Sequence, residues 1–371
     1  MQQNIQEDQK RLLRVGITHG DTNGIGYELI FKTFADPLVS ELLIPVVYGS
    51  AKLATYHRKA VDSSVNFQVV ASPADAEPNR LNLINCFDEE VKVDFGKSTS
   101  EAGKAAFNAL SRAVEDCKSG KIDVLVTAPV NKASMQIENT PFTGHTEYLQ
   151  QQVGGEPLMI LFSQVMRIAL VTTHLPISKV AEAVTEERII EKAKIFYRTL
   201  RHDFLLPSPR LAVLALNPHR GDGGVLGNEE QDVICPAIQK LNDEDIPVFG
   251  PYPADGFFAQ GLYKKFDGVL AMYHDQGLAP FKALSNNDGV NFTAGLDVIR
   301  TSPDHGTAYD IAGKGVADES SFRQAIFAAI DLYRQRHFDK ESSVNPLPKL
   351  YHDHREEGDR QRHFTLPFET E

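Results

Sequence analysis

The chain has 371 residues, of which 42% are apolar and 24% are charged, and its formal net charge is −12. This length allows two domains that share a cleft. The negative charge excludes non-specific binding to nucleic acid or to an anionic membrane surface, and it means that an anionic substrate needs a local cluster of cations. Three separated cysteines and a polar N-terminal segment predict a cytoplasmic protein with reduced thiols.

The first third of the chain alternates between strand and helix patterns. Predicted strands lie at 12–18, 44–48 and 124–127, and predicted helices at 27–34 and 100–118. The second helix is the clearer one, because Phe107, Leu110, Val114 and Cys117 fall on one stripe of its surface. Residues 60–97 follow neither the helix nor the strand period.

The alternation continues through the rest of the chain. Predicted strands lie at 168–171, 211–216 and 269–272, and predicted helices at 178–204, 229–241, 257–266 and 320–336. Thr185, followed by two glutamates, is a predicted N-cap. Strands that alternate with helices predict an α/β fold with a mainly parallel sheet.

One histidine follows each of the three strands in this second part: His174, His219 and His274. Ligands of open α/β sheets bind beyond the carboxyl ends of the strands. Three imidazoles that converge there would suit a divalent cation with an open coordination position. The alternative for each histidine is an ordinary cap or a satisfied polar group.

The segment after the third strand is rich in polar groups. Asp275 is adjacent to His274, and Lys282, Asn291 and Arg300 follow. A lysine and an arginine on either side of an amide can hold a phosphate through charge-assisted hydrogen bonds. Alternatively, Lys282 and Arg300 are solvent-exposed cations without a ligand-binding role.

Two glycine-rich loops and a charged tail complete the pattern. The loop at 20–26 follows a strand and precedes a helix, where it could bind phosphate or form a tight turn that shapes the cleft. The loop at 304–315 resembles the loop of isocitrate and isopropylmalate dehydrogenases that wraps the nicotinamide cofactor. From about 338 the chain reads as a solvated extension, although His352, His354 and His363 could instead form a metal-binding tail.

From residue 12 to 335 the chain resembles the 4-hydroxythreonine-4-phosphate dehydrogenase family of vitamin B6 biosynthesis. The matching segments are GDTNGIG, TAPVNK, FTGHTEYL, THLPIS, NPHRGDGG, AMYHDQGL, GVNFTAGLDVIRTS and DHGTAYDIAGKG. The family more often has Pro-Ala at Thr22-Asn23 and Ala at Arg220, which leaves fine substrate choice open.

The resemblance implies a role for each matched residue. Metal ligands would be His174, His219 and His274, in a homodimer whose metal site lies between the subunits. Substrate ligands would be His145, Thr146, Lys282, Asn291 and Arg300. Catalytic candidates are Asp255 and Asp275, which match acidic residues near the metal, and Lys282; the acceptor of the hydroxyl proton is left open among Asp255, Asp275 and a relayed water. The loop residues that would hold NAD or NADP are His305, Gly306, Thr307, Asp310 and Ile311. The metal is left open among Zn²⁺, Co²⁺, Mn²⁺ and Mg²⁺.

The resemblance also implies two α/β domains around a central cleft, as in isocitrate and isopropylmalate dehydrogenases. The first would comprise 1–140 and 300–340, the second 141–299, and 341–371 would be a charged extension. The expected activity is oxidation of a phosphorylated hydroxy-amino acid. Alternatives are oxidation of D-threonate or D-erythronate 4-phosphate, and a non-redox protein related to phosphate acetyltransferases.

Overall fold

A computed structural model describes residues 11–87, 90–135 and 144–344, and these residues form one continuous sheet of twelve strands. The strands are β1 Leu13–Thr18, β2 Leu43–Gly49, β3 Phe67–Val69, β4 Leu81–Asn85, β5 Val124–Thr127, β6 Leu158–Phe162, β7 Arg167–Leu170, β8 Leu211–Leu214, β9 Val248–Tyr252, β10 Gly268–Ala271, β11 Val290–Ala294 and β12 Arg300–Pro303. Their order is β3-β4-β2-β1-β5-β12-β11-β6-β7-β10-β8-β9.

The sheet is parallel at both ends and antiparallel in the middle. Antiparallel pairing joins β12 to β11, β11 to β6 and β6 to β7, and the other described neighbours are parallel. One half of the sheet contains β1 to β5 and β12, and the other contains β6 to β11. The predicted α/β class and mainly parallel sheet are therefore confirmed. The predicted domain boundaries stay a prediction.

Helices cover the sheet. They are α1 Gly26–Thr33, α2 Pro37–Glu41, α3 Ala51–Ala60, α4 Ser100–Lys118, α5 His145–Val153, α6 Val180–Ala183, α7 Glu186–His202, α8 Cys235–Asp243, α9 Ala254–Ala259, α10 His274–Leu284 and α11 Ser320–Val344. The Thr185 side chain caps α7 as predicted, since its Oγ1 accepts a hydrogen bond from the Arg188 amide at 3.3 Å.

Apolar residues on the two faces of the sheet form separate cores. Side chains alternate along a strand between opposite faces. Thus Val124 and Ile160 belong to one large cluster that runs across both halves, whereas the next residues, Leu125 and Leu161, belong to two different smaller clusters. On the face that carries Leu125 and Leu161, the apolar core is interrupted between the two halves, and polar residues lie at the interruption.

Helix α11 ties the two halves together. Its residue Ala325 accepts a hydrogen bond at its carbonyl from Thr301 Oγ1 of β12 at 2.7 Å. Near its other end, the Arg336 guanidinium donates two hydrogen bonds, of 2.7 and 2.9 Å, to the Asp203 carboxylate after α7. A bidentate arginine–carboxylate pair is geometrically specific, so it fixes the helix against the second half.

Three predicted helices differ from the structure. The helix predicted at 257–266 is two pieces, because Gly261 has a left-handed φ of 67° between α9 and the short turn Leu262–Lys265. The helix predicted at 229–241 begins with a π-helical turn, Glu230–Ile234, before α8. Helix α11 continues to Val344, past the predicted end at 336 and into the predicted extension. Residues 345–371, including the three tail histidines, lie outside the described residues.

Candidate active site

Two of the three predicted metal ligands lie side by side. Strands β7, β10 and β8 are adjacent and parallel, so their carboxyl ends meet at one edge of the sheet. His174 follows β7 and His274 begins α10 directly after β10, and their ring centroids are 5.8 Å apart. Burial lowers the pKa of His174, with Lys132 and His274 adding to the effect. His174 is therefore a neutral imidazole at neutral pH, which is the form that binds a metal.

His219 follows β8 but lies apart from the pair. It opens a run of left-handed backbone from His219 to Gly224, with φ of 51° at His219 itself. The buried Glu230 carboxylate supports this loop: its Oε1 accepts hydrogen bonds from the Leu216 and Asn217 amides, both at 2.8 Å. Among the described residues, no three His, Cys, Asp or Glu side chains lie close enough together to hold a metal ion.

A cavity of about 260 Å³ lies where the apolar core is interrupted, between the two halves of the sheet. All five predicted substrate ligands line it, together with both paired histidines and part of the loop after β12. The polar and loop residues of its wall include Thr127, Lys132, His145, Thr146, Glu147, His174, His274, Lys282, Asn291, Arg300, Asp304, His305 and Gly306. The cavity is thus rich in cations in a protein that is negative overall.

Arg300 supplies a buried positive charge to this cavity. The residue is 3% exposed, and its guanidinium donates hydrogen bonds to Thr127 Oγ1 and Thr293 Oγ1, three contacts of 2.5–3.0 Å. Burial lowers its pKa to about 9, against an opposing effect of Glu147. Its hydrogen-bond partners among the described residues are neutral hydroxyls, and none of the ion pairs found there involves it. A buried cation that forms no direct ion pair favours an anionic ligand.

The first turn of α5 brings a second group of polar side chains to the cavity. Burial holds the pKa of His145 well below its usual range, and the charges of Arg300 and Lys132 lower it further. A Cβ at Gly144 would lie 2.6 Å from Glu147 Oε2 and 3.5 Å from Lys132 Nζ, so both side chains approach the backbone at this glycine. The sequence did not single out Lys132 or Glu147, although Lys132 ends the TAPVNK segment.

The two predicted acidic catalytic residues lie outside this cavity. Oδ1 of Asp275 lies 2.6 Å from Nδ1 of His274, and the Asp275 side chain is 83% exposed. Asp255 lies in α9, which follows the edge strand β9. Neither contributes to the wall formed by the described residues, whereas Lys282, the third predicted catalytic residue, does.

Part of the predicted cofactor loop borders the cavity. His305 and Gly306 line it, and His305 Nε2 is buried without a hydrogen-bond partner among the described residues. The Thr307 carbonyl accepts a hydrogen bond from the Ile25 amide at 3.2 Å. Asp310 is exposed, and Ile311 packs against the large apolar core. The loop thus has one end open to the cavity and the other fixed to the protein.

The glycine-rich loop at 20–26 supports that cofactor loop. Asp21 and Asn23 are almost completely buried, and Asp21 Oδ2 accepts a hydrogen bond from the Tyr309 hydroxyl at 2.8 Å. A Cβ at Gly26 would lie 2.0 Å from the His19 carbonyl, so only glycine fits this turn. Of the two interpretations of this loop, the structure favours the tight turn over the phosphate site.

The family model for pyridoxal phosphate biosynthetic protein PdxA matches residues 41–329. The chain belongs to this family. A 4-hydroxythreonine-4-phosphate dehydrogenase of Bacteroides thetaiotaomicron is 56% identical over 350 residues, which cover 94% of this chain and 96% of that protein.

Two further PdxA relatives bear on the site. The crystal structure of 4-hydroxythreonine-4-phosphate dehydrogenase from Klebsiella pneumoniae superposes with a TM-score of 0.76 and 33% identity, covering 87% of this chain and 98% of that one. An Oceanobacillus iheyensis protein, provisionally named D-threonate 4-phosphate dehydrogenase, is 38% identical over 323 residues, 86% of this chain and 97% of that one. The relatives' names support a dehydrogenase and disfavour the acetyltransferase-like alternative. No helix in the described part of the chain is long and apolar enough to cross a membrane.

Proposed function

We propose that the chain oxidises 4-phosphohydroxy-L-threonine with NAD or NADP, in pyridoxal phosphate biosynthesis. The product would be 2-amino-3-oxo-4-phosphooxybutanoate, which loses CO₂ to give 3-amino-2-oxopropyl phosphate. The observation that carries this proposal is the buried guanidinium of Arg300 in the wall of the cavity. Lys132, Lys282 and two histidines with lowered pKa values, His145 and His174, line the same cavity. A phosphorylated amino acid supplies the anionic groups that such a cavity requires.

The chain's own residues would bind and orient the substrate. Arg300 and Lys282 would hold its anionic ends, and Asn291, His145 and Thr146 would hydrogen-bond its polar groups. Fixing C3 of the substrate against the acceptor carbon lowers the barrier by orientation. Lys282 would act as a cation that orients the substrate, and the proton of the hydroxyl would pass to Asp255, to Asp275 or to a relayed water.

The donor sets fit a divalent metal and a nicotinamide cofactor. His174 and His274 offer imidazole nitrogens at adjacent positions, and His219 would be the third ligand, contributed by a second copy of the chain. Gly306 has no heavy atom within 4 Å of an added Cβ, which leaves room beside His305 for the cofactor. When bound, the metal would supply a Lewis acid toward the substrate hydroxyl and the nicotinamide a hydride acceptor.

A homodimer is supported by the surface beside these histidines. Leu175, Ile177, Val225 and Leu226 are 40%, 72%, 79% and 45% exposed, on loops that follow β7 and β8. Exposed apolar residues grouped beside a functional site are typical of a protein interface. A cytoplasmic location remains a prediction from composition.

The experiment is to measure NADH and NADPH formation by the metal-loaded protein with 4-phosphohydroxy-L-threonine, D-threonate 4-phosphate and D-erythronate 4-phosphate. We expect the highest kcat/KM with the amino acid. A preference for either sugar-acid phosphate would overturn the substrate assignment and favour the activity named for the Oceanobacillus relative. No oxidation of any of the three would overturn the proposed reaction.

A further inference from the structure

A second cavity, of about 250 Å³, lies on the opposite face of the central strands. The two cavities share no lining residue. Neighbouring residues of a strand point to opposite faces. Accordingly Leu161 and Asn291 line the first cavity, while Phe162 and Val290 line the second. The second cavity is therefore separate from the proposed catalytic site.

Its walls combine an aromatic pocket with polar groups. Helix α11 contributes one face; the end of β6 with the turn into β7, the residue Phe204 after α7, and the start of β11 contribute the rest. The lining residues are Phe162, Ser163, Gln164, Arg167, Phe204, Asp288, Val290, Gln324, Phe327, Ala328, Asp331, Leu332 and Gln335. The site thus holds one cation, two carboxylates and three aromatic rings.

The cation in this cavity has no hydrogen-bond or ion-pair partner among the described residues. The Arg167 guanidinium carbon lies 4.8 Å from the centroid of the Phe204 ring, a cation–π contact. Its Nε is buried, and no hydrogen bond to Nε is formed by any described residue. Burial lowers the pKa of Arg167, with an opposing effect from Asp267. A buried charged donor without a partner is costly, so the site favours an acceptor from outside the chain.

One carboxylate of the same cavity likewise has no partner among the described residues. Asp288 Oδ1 is buried without a hydrogen-bond partner in the described part of the chain. The second carboxylate, Asp331, is exposed; partial burial raises its pKa, and Arg334 opposes this effect. Arg167 forms no ion pair with either residue, although all three line one small cavity. Opposite charges kept apart in this way can each meet the complementary charge of one ligand.

We propose that this cavity binds a small zwitterion: an α-amino acid whose carboxylate pairs with Arg167, whose ammonium group pairs with Asp288, and whose apolar side chain packs against Phe162, Phe204 and Phe327. The aromatic rings would bury that side chain, and the charged pair would select a molecule that carries both an acid and an amine. The inference does not depend on the proposed reaction, because none of these residues belongs to the first cavity.

The test is isothermal titration of the full chain with L-phenylalanine and L-leucine, compared with 2-phenylethylamine and 3-phenylpropionate. We expect binding of at least one amino acid and much weaker binding of the two probes that carry a single charge. Failure of both amino acids to bind would overturn the proposal, as would equal binding of a single-charge probe, which would show that only one of the charges is used.

Substitutions in the second cavity test whether the amino acid binds there. Arg167→Met and Asp288→Asn should each weaken it about 10- to 100-fold, the usual effect of losing a hydrogen bond to a charged group. Arg210→Met is the matched control, since Arg210 also stacks on phenylalanine rings but already donates to the Lys265 carbonyl at 3.3 Å. Arg300→Gln tests for binding in the first cavity.

Unchanged affinity in both Arg167→Met and Asp288→Asn would overturn the proposal, and so would loss of binding in Arg300→Gln. Thermal unfolding of each variant checks that it is folded. If Arg167→Met does not fold, the nearly isosteric Asp288→Asn decides the result.

Discussion

Arg300 combines full burial with hydrogen-bond partners that carry no charge, and this makes it the residue most sensitive to substitution. We expect Arg300→Gln to lower kcat/KM about 10- to 100-fold, because the variant retains hydrogen bonding but loses the charge that meets the anionic substrate. Steady-state kinetics measure the effect. Arg198→Gln, at an exposed position on α7, is the control and should leave kcat/KM unchanged. Normal kinetics for Arg300→Gln would contradict the assignment of this cavity.

Two buried histidines predict how stability changes with pH. Burial lowers the pKa of His19 and of His57 from 6.5 to about 4. Between pH 4 and pH 6.5, these two histidines therefore bind protons in the unfolded chain but not in the folded chain. Stability from these groups is therefore complete above pH 6.5 and is lost progressively as the pH falls to about 4.

The expected loss is roughly 2 kcal/mol per histidine between pH 7 and pH 5. Urea unfolding at the two pH values measures it. His57→Phe preserves an aromatic ring in the cluster with Tyr27 and Phe95, and its free energy of unfolding should fall less over this range than that of the natural chain. The same fall in both proteins would show that His57 does not titrate as described.

At the scale of elements, the loop that carries His219 depends on Glu230. Left-handed backbone at the non-glycine residues His219, Arg220 and Asp222 is unfavourable, so the loop needs external support. We expect Glu230→Gln to weaken metal binding about 10- to 100-fold, as other second-layer changes do. Zn²⁺ titration with a competing chelator measures this, and Asp232→Asn, at an exposed position two residues later, is the comparison. Equal effects of the two substitutions would contradict a specific role of Glu230.

The cofactor loop has a comparable support in the hydrogen bond between Tyr309 and Asp21. Burial and the Asp21 carboxylate raise the pKa of Tyr309 to about 12, so the hydroxyl stays a donor. Tyr309→Phe should raise the KM for the dinucleotide several-fold, in line with about 1 kcal/mol for a lost hydrogen bond, while kcat changes less. Tyr56→Phe, a half-exposed tyrosine, is the control. A fall in kcat without a change in KM would contradict a positioning role.

The contacts made by Glu230 and by the Tyr309–Asp21 pair could not be predicted from the sequence. The strands before His174, His219 and His274 were predictable because they are short apolar runs, and α4 was predictable from its stripe of apolar residues. The sequence could not indicate that His219 turns away from the other two, since that depends on a left-handed loop held by Glu230, eleven positions later. Lys132 and Glu147 were missed for a similar reason: only the folded chain brings them to the same glycine.

At the scale of the whole molecule, the antiparallel strands in the middle of the sheet were also not predictable. Strand β11 pairs with β12 on one side and β6 on the other; β12 follows β11 directly in the chain, whereas β6 comes from a distant, earlier part of it. Alternation of strands and helices predicts parallel pairing, so it gives no sign of where the chain crosses between halves. That crossing forms the cavity, because Arg300 and Asn291 lie on the two crossing strands.

A catalytic centre completed by a second copy of the chain is tested most directly by mixing inactive variants. His174→Ala and His219→Ala should each be inactive as pure proteins. If His174 and His274 of one subunit act with His219 of the other, a mixed dimer contains one site with all three histidines, so refolding the two variants together should restore activity.

The matched control is a mixture of His174→Ala with His274→Ala, in which every site lacks one ligand. We predict recovered oxidation in the first mixture and none in the second, measured by NADH formation. No recovery in the first mixture, with dimers formed, would contradict a shared centre and would require His219 to reach the pair within its own subunit.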